Sequence, residues 1–161
     1  MEKQELERLL TVGSMLRNDI NRVFALIDEH REELRTIEIT MGGGSMRPAI
    51  PKGSRIRIQL DHTGPYRAGQ IIAFISKKRI MVHRIQYCAN KNPYYLTCGD
   101  ATHRPDSPVQ LQSIVGPVVA IQQPNGWITP TDLVRSSVEI QLLSRILEIN
   151  ITATTWLTKI L

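Results

Sequence analysis

The chain reads as a mainly β domain carrying an α-helix at each end. Two changes of hydrophobic period and the placing of its turn residues lead to that reading. Apolar residues recur at helical spacing up to residue 36, alternate with polar ones over residues 37–128, and return to helical spacing over 131–161. Glycine and proline cluster between the two changes, where short strands need turns.

Residues 2–36 predict one helix, open to interruption at Gly13-Ser14. Leu9, Leu16 and Val23 recur every seven residues, and Ile20, Ile27 and Leu34 follow on an adjoining line. Glycine costs about 1 kcal/mol against alanine inside a helix, so the interruption weakens the first part. Arg17, Asp19, Arg22, Glu29, Arg31 and Glu33 form its solvated face. Next, Arg55-Ile56-Arg57-Ile58-Gln59-Leu60 alternates as a half-buried strand with its apolar residues inward. Gly64-Pro65 marks a turn, and Ile71-Ile72-Ala73-Phe74-Ile75 is a more deeply buried strand. Residues 79–88 and 94–97 predict a hairpin around Asn90-Lys91-Asn92-Pro93, and residues 114–122 a further strand.

Pro130-Thr131-Asp132 stops the β region and starts the last helix. Its stripe runs through Val138, Leu142, Ile146, Ile149, Ala153, Trp156 and Ile160, with Arg145, Glu148 and Lys159 interrupting it. The two terminal helices are expected to pair or to cover the β domain. Their stripes would also serve a homo-oligomer or a partner protein. Peripheral contact with a membrane is the weaker expectation, because the polar face carries few basic residues.

A net charge of +5 on 161 residues is spread along the chain, with one local cluster at Lys77-Lys78-Arg79. Basic residues do not interleave with aromatic ones, which argues against nucleic acid as a partner. Cys88 and Cys98 flank the predicted hairpin and read as free thiols of a reducing compartment. No Cys or His spacing suits a metal, and nothing calls for a cofactor. The charged start, Met1-Glu2-Lys3-Gln4-Glu5, does not resemble a signal peptide, and no run approaches the ~20 apolar residues of a membrane span. These points together make the cytoplasm the expected location.

Four residues could carry chemistry. Ser45 follows Gly42-Gly43-Gly44, where the backbone can turn sharply and aim N–H groups at a developing oxyanion. The duller reading is a flexible joint between helix and β domain. His83, in Ile80-Met81-Val82-His83-Arg84-Ile85, shares a strand face with Met81 and Ile85, as a satisfied half-buried histidine also would. Arg84 points to the other face, where solvent would suffice for it. Asp100 follows Gly99 in a turn, and Asp106 lies in the proline-bracketed Arg104-Pro105-Asp106-Ser107-Pro108. A serine hydroxyl needs a base to take its proton, and that base needs a third group to orient it. The chain supplies all three kinds.

The order of these segments resembles the signal peptidase I superfamily. Gly44-Ser45-Met46-Arg47-Pro48-Ala49-Ile50-Pro51-Lys52-Gly53 is similar to its nucleophile box, and Ala68-Gly69-Gln70-Ile71-Ile72-Ala73-Phe74 to the next box. Val82-His83-Arg84-Ile85 resembles the archaeal and endoplasmic-reticulum branch, in which histidine replaces the bacterial lysine. Leu96-Thr97-Cys98-Gly99-Asp100-Ala101 through Asp106 is similar to the acidic box, and Ile114-Val115-Gly116-Pro117-Val118 to the closing strand. The resemblance covers about residues 42–120. It implies a signal-peptidase or SOS-repressor type of all-β core that binds an extended peptide as an added strand.

Residue by residue, the resemblance implies Ser45 as nucleophile, His83 as general base and Asp106 as the group orienting it. Asp100 is structural, or the alternative orienter. Three positions depart from the family: Gly43 stands where a hydroxyl often serves the oxyanion, Ser54 follows Gly53 in place of aspartate, and Gln70 replaces an acid after Gly69. Backbone N–H groups of Gly43 and Ser45 would then take the oxyanion role. Lys77 and Lys78 are alternative bases, but two adjacent lysines beside Arg79 read as exposed, and a lysine base must be desolvated.

The expected function is a soluble serine endopeptidase acting on an extended peptide, a leader segment or itself. The alternative is a non-catalytic peptide-binding or assembly module that keeps the fold. A DNA-linked repressor ranks behind both, because a helix-turn-helix reader needs two helices and residues 1–36 read as one.

Overall fold

A computed structural model of the chain describes residues 2–11, 17–89, 94–102, 104–133, 138 and 140–146. Two helices precede the sheet where the periodicity predicts one: α1 (Glu2–Thr11) and α2 (Arg17–Leu34). Gly13-Ser14 falls between them, outside the described residues. The helices pack on each other, with Arg22 bonded to Glu5 at 2.7 Å. Leu6, Leu9 and Leu10 of α1 join Val23 and Ile27 of α2 in the same core as Ile37, Ile39, Ile56 and Ile58. Full burial of such side chains contributes about 1.5–3 kcal/mol each, which commits the helices to the β domain. The single-helix objection to a DNA reader falls with this finding. α1 is itself packed on the sheet, with Leu6, Leu9 and Leu10 buried.

Among the described residues eight strands follow: β1 (Thr36–Thr40), β2 (Arg55–Gln59), β3 (Ile71–Ser76), β4 (Arg79–Cys88), β5 (Tyr94–Cys98), β6 (Val109–Gln110), β7 (Ile114–Gln123) and β8 (Gly126–Ile128). A 3₁₀ turn, Leu111–Ser113, leads into β7. The fold is therefore mainly β, one antiparallel sheet in the order β1-β2-β7-β3-β4-β5-β6, with β8 on β7. The alternation in β2 and the continuous burial of β3 agree with the sequence pattern. β4 and β5 pair as the predicted hairpin, whose residues 90–93 lie outside the described ones.

β7 joins the two halves of the sheet. Its first residues pair with β3 (Ile72↔Pro117, Ala73↔Gly116) and its later ones with β2 (Ile58↔Val118, Ile56↔Ile121), with a register shift in each ladder. Such shifts bend a strand and strengthen its twist. Gly116 sits at this crossing, where an added Cβ would come 1.9 Å from the Gln59 carbonyl oxygen. The bend brings two distant strands, β1 and β4, onto the two sides of one groove.

Part of the expected C-terminal helix lies among the described residues. Among the described residues, 140–146 are helical, but Ile140 is the buried residue at 8 % exposure. Val138, Leu142 and Ile146, the expected inward stripe, are exposed at 83, 58 and 44 %. Among the described residues that line is exposed, whereas Ile140 is buried. Ile149, Ala153, Trp156 and Ile160 lie outside the described residues. Cys88 and Cys98 are free thiols. Among the described residues, no helix is long and apolar enough to cross a membrane.

Candidate active site

Three segments meet at Ser45. The turn that follows Gly42-Gly43-Gly44 carries the serine, β4 carries His83, and the loop after β5 carries Asp106. His83 is buried at 4 % exposure, on a strand buried on both faces over residues 82–86. The edge of its ring meets Phe74 of β3, with centroids 6.2 Å apart. Its Nε2 lies 3.0 Å from Ser45 Oγ and its Nδ1 lies 2.6 Å from Asp106 Oδ2. An ionised carboxylate only accepts, so Nδ1 carries the proton. Nε2 of the neutral ring is then the acceptor for the Ser45 hydroxyl. Ser45, His83 and Asp106 thus form one hydrogen-bonded chain in the order a hydrolytic serine requires.

Asp106 is itself fixed at two points. Thr97 Oγ1 donates to the same Oδ2 at 2.7 Å, and Asp106 N–H donates to the Thr97 carbonyl at 2.8 Å. Thr97 is fully buried on β5. Sequence reasoning passes over it as an ordinary strand threonine. Only the register of β5 against β4, which sets Thr97 opposite Ile85, brings it beside the loop of Asp106.

Asp100 does not reach His83. It pairs with Arg84, whose Nε and Nη2 donate to its two carboxylate oxygens at 2.9 and 2.7 Å. Arg84 is 1 % exposed, which corrects the expectation that it faces solvent. Strand alternation sends it to the face opposite His83, but on β4 that face is covered as well. Its Nη1 donates to the carbonyls of Gly69 and Thr131 at 2.8 and 2.6 Å, so four of the five guanidinium N–H groups are engaged. The pair anchors the turn that touches the serine. Ala101 N–H donates to the Ser45 carbonyl at 2.7 Å, and an added Cβ on Gly99 would lie 2.7 Å from that same oxygen. Adjacent residues of β4 therefore serve Ser45 by two routes, His83 at its hydroxyl and Arg84 behind its backbone.

The glycines before Ser45 are open on their outer side. A Cβ on Gly42 or Gly43 would meet nothing within 4 Å, whereas one on Gly44 would press on the Arg47 guanidinium. Among the described residues, the N–H groups of Gly43 and Ser45 have no hydrogen-bond acceptor. Lys77 and Lys78 form the exposed two-residue turn between β3 and β4, at φ +49° and +60°. Neither is desolvated as a lysine base must be. Cys88, the other nucleophile type near this hairpin, has its thiol pushed up by burial and is unsuited to attack at neutral pH.

A groove of about 570 Å³ leads to the site. Residues 39–43 and Ser45 line one bank, residues 79–83 the other, and Leu10 of α1 reaches in from above. Among the described residues, 36–40 pair only with β2 and 79–83 only with β3. Each bank is thus an unpaired strand edge. β1 and β4 are four antiparallel steps apart in the sheet, so both edges run in the same direction, toward Ser45 and His83. Among the described residues, no cluster of His, Cys, Asp and Glu could hold a metal ion. No family model matches the chain, and no curated protein matches it.

Proposed function

We propose that the protein is a serine endopeptidase of the signal peptidase I type, with Ser45 as nucleophile, His83 as general base and Asp106 as the residue orienting the histidine. The observation that carries this reading is the hydrogen-bonded chain at 3.0 and 2.6 Å, joining the hydroxyl, imidazole and carboxylate in sequence. The unpaired edges on either side of the groove support an extended peptide as substrate. A strand laid between them would bond its main chain to both and close the curled sheet.

The chemistry follows from the geometry. His83 Nε2 takes the Ser45 proton as Oγ bonds to the scissile carbonyl carbon, and the carbonyl oxygen becomes an oxyanion. The Gly43 and Ser45 N–H groups are its donors, each such donor being worth about 10²–10³ in rate. Asp106 stabilises the imidazolium and does not take its proton. His83 then protonates the amine as the carbon–nitrogen bond breaks, leaving an acyl-serine. Water attacks that ester while His83 accepts its proton. The acid leaves and Ser45 regains its hydrogen.

Digestion of a library of natural peptides, read by mass spectrometry, tests this reading. The wild-type chain is expected to produce new termini and Ser45→Ala none. No cleavage by the wild type, or equal cleavage by Ser45→Ala, would overturn it.

A further inference from the structure

The main-chain groups on both banks of the groove can be assigned from the strand registers. Leu60 N–H donates to Arg35 O and Met41 N–H to Ser54 O, so residues 35, 37, 39 and 41 direct their groups at β2. Thr36, Glu38, Thr40 and Gly42 direct theirs away from it, to the free edge. On β4, Ile85 N–H donates to Gln70 O while Ile85 O accepts from Gly69 N–H. By the same alternation, Ile80 and Val82 offer their groups to the groove.

One of these edge amides is already taken. Glu38 N–H donates to Glu7 Oε1 of α1 at 3.1 Å. Leu6 and Leu10 hold α1 in place at 0 and 1 % exposure. Beyond this contact lies a second hollow of about 520 Å³, lined by Gln4, Glu7, Arg8 and Arg55. It shares Ile39 and Thr40 with the groove that leads to Ser45, so Glu7 stands where the two would join.

We propose that α1 fixes the length of peptide the groove accepts, with Glu7 as its end-stop; this rests on the peptidase reading above. The Glu7 carboxylate sits where the carbonyl of a longer peptide would bond to Glu38 N–H. Among the described residues, what remains free is the edge at Thr40 and Gly42 on one bank and at Ile80 and Val82 on the other. At about 3.3 Å per residue, that length suits roughly three or four extended residues on the groove side of the scissile bond. Glu7 touches no reacting atom; it determines specificity by occupying a position in the strand.

The same peptide-library digestion separates the outcomes. In the wild type, residue preference on one side of the cut is expected to stop after the third or fourth position. Glu7→Ala frees the Glu38 amide and joins the hollows, so preference extends further along that side. Peptides long enough to use the extra amide gain about five-fold in rate, the worth of one net hydrogen bond. Glu7→Gln keeps an acceptor oxygen and is expected to keep the wild-type limit, which a merely structural loss at position 7 would not produce. Preference reaching six positions in the wild type, or an unchanged profile in a folded Glu7→Ala, would overturn the inference and leave the peptidase reading standing. Should Glu7→Ala fail to fold, the wild-type profile decides alone. Absence of any cleavage by the wild type would overturn both.

Discussion

Replacing Gly99 with alanine should slow the nucleophile without altering any member of the hydrogen-bonded chain. The added Cβ would lie 2.7 Å from the Ser45 carbonyl oxygen, 3.0 Å from Ser45 Cβ and 3.0 Å from Thr102 Oγ1. Ordinary contact begins at 3.4 Å, so the Ser45 carbonyl must retreat by about 0.7 Å. Ala101 N–H, now 2.7 Å from that oxygen, would lose its bond, and Ser45 Oγ would leave its 3.0 Å position at His83 Nε2. A misplacement of about 1 Å costs roughly 100-fold in a positioned reaction, so 0.7 Å predicts a loss on the order of 20-fold. Overpacking adds a stability cost of about 1–3 kcal/mol, which a thermal melt would register separately. The assay is the rate at which a fluorophosphonate labels Ser45 in wild type and Gly99→Ala, well below both melting temperatures. Labelling of a folded Gly99→Ala at the wild-type rate would refute the idea that the Gly99 turn positions the serine.

Other perturbations separate chemistry from scaffold. Thr97→Val removes one of the two side-chain donors on Asp106 Oδ2, and labelling of Ser45 is expected to slow by about five- to ten-fold with little change in melting temperature. Arg84→Met takes the guanidinium away from the buried Asp100 carboxylate, and breaking a buried ion pair on one side should cost about 3–5 kcal/mol in a denaturant titration. Lys77→Asn combined with Lys78→Gly places residues suited to positive φ in the β3–β4 turn and should stabilise the chain by about 1–2 kcal/mol in the same titration. The hydrogen bond from Arg57 holds the Glu38 carboxyl below the usual carboxylate range against the opposing effect of burial, with Arg55 adding to it. A lowered folded-state value means the unfolded chain binds more protons, so this stabilisation is present above the ordinary carboxylate pKa and is lost as pH falls through the folded one. Melts of Glu38→Gln should therefore lie below wild type at pH 7 and converge with it in acid.

Much of the fold was legible because the strands alternate or bury in ways the residues declare. β2 shows its pattern in Arg55-Ile56-Arg57-Ile58, and β3 in its unbroken apolar run. Ser45, His83 and Asp106 were legible as candidates through the order of their motifs, and the structure brings these three into contact. What escaped depends on register and on layers. Thr97 looks like any strand threonine until β5 is set against β4. Arg84 reads as solvated because alternation assumes one wet face, and β4 has none at that point. Gly99 gives no sign that its missing Cβ makes room for Ser45, a residue far away in the chain. For a related reason the C-terminal stripe does not declare its role. Heptad-like spacing shows that a face exists, not what covers it, and among the described residues Val138, Leu142 and Ile146 are exposed while Ile140 is buried.

The central claim is that Ser45 is a nucleophile activated by His83. The most direct measurement is intact-mass and peptide mapping after treatment with a fluorophosphonate, in wild type, His83→Ala and Ser45→Ala. A single phosphonyl group on Ser45 of the wild type is expected, with its rate falling by about 10³-fold or more in His83→Ala and no adduct in Ser45→Ala. No adduct on the folded wild type, or labelling of Ser45 that is as fast without His83, would contradict it.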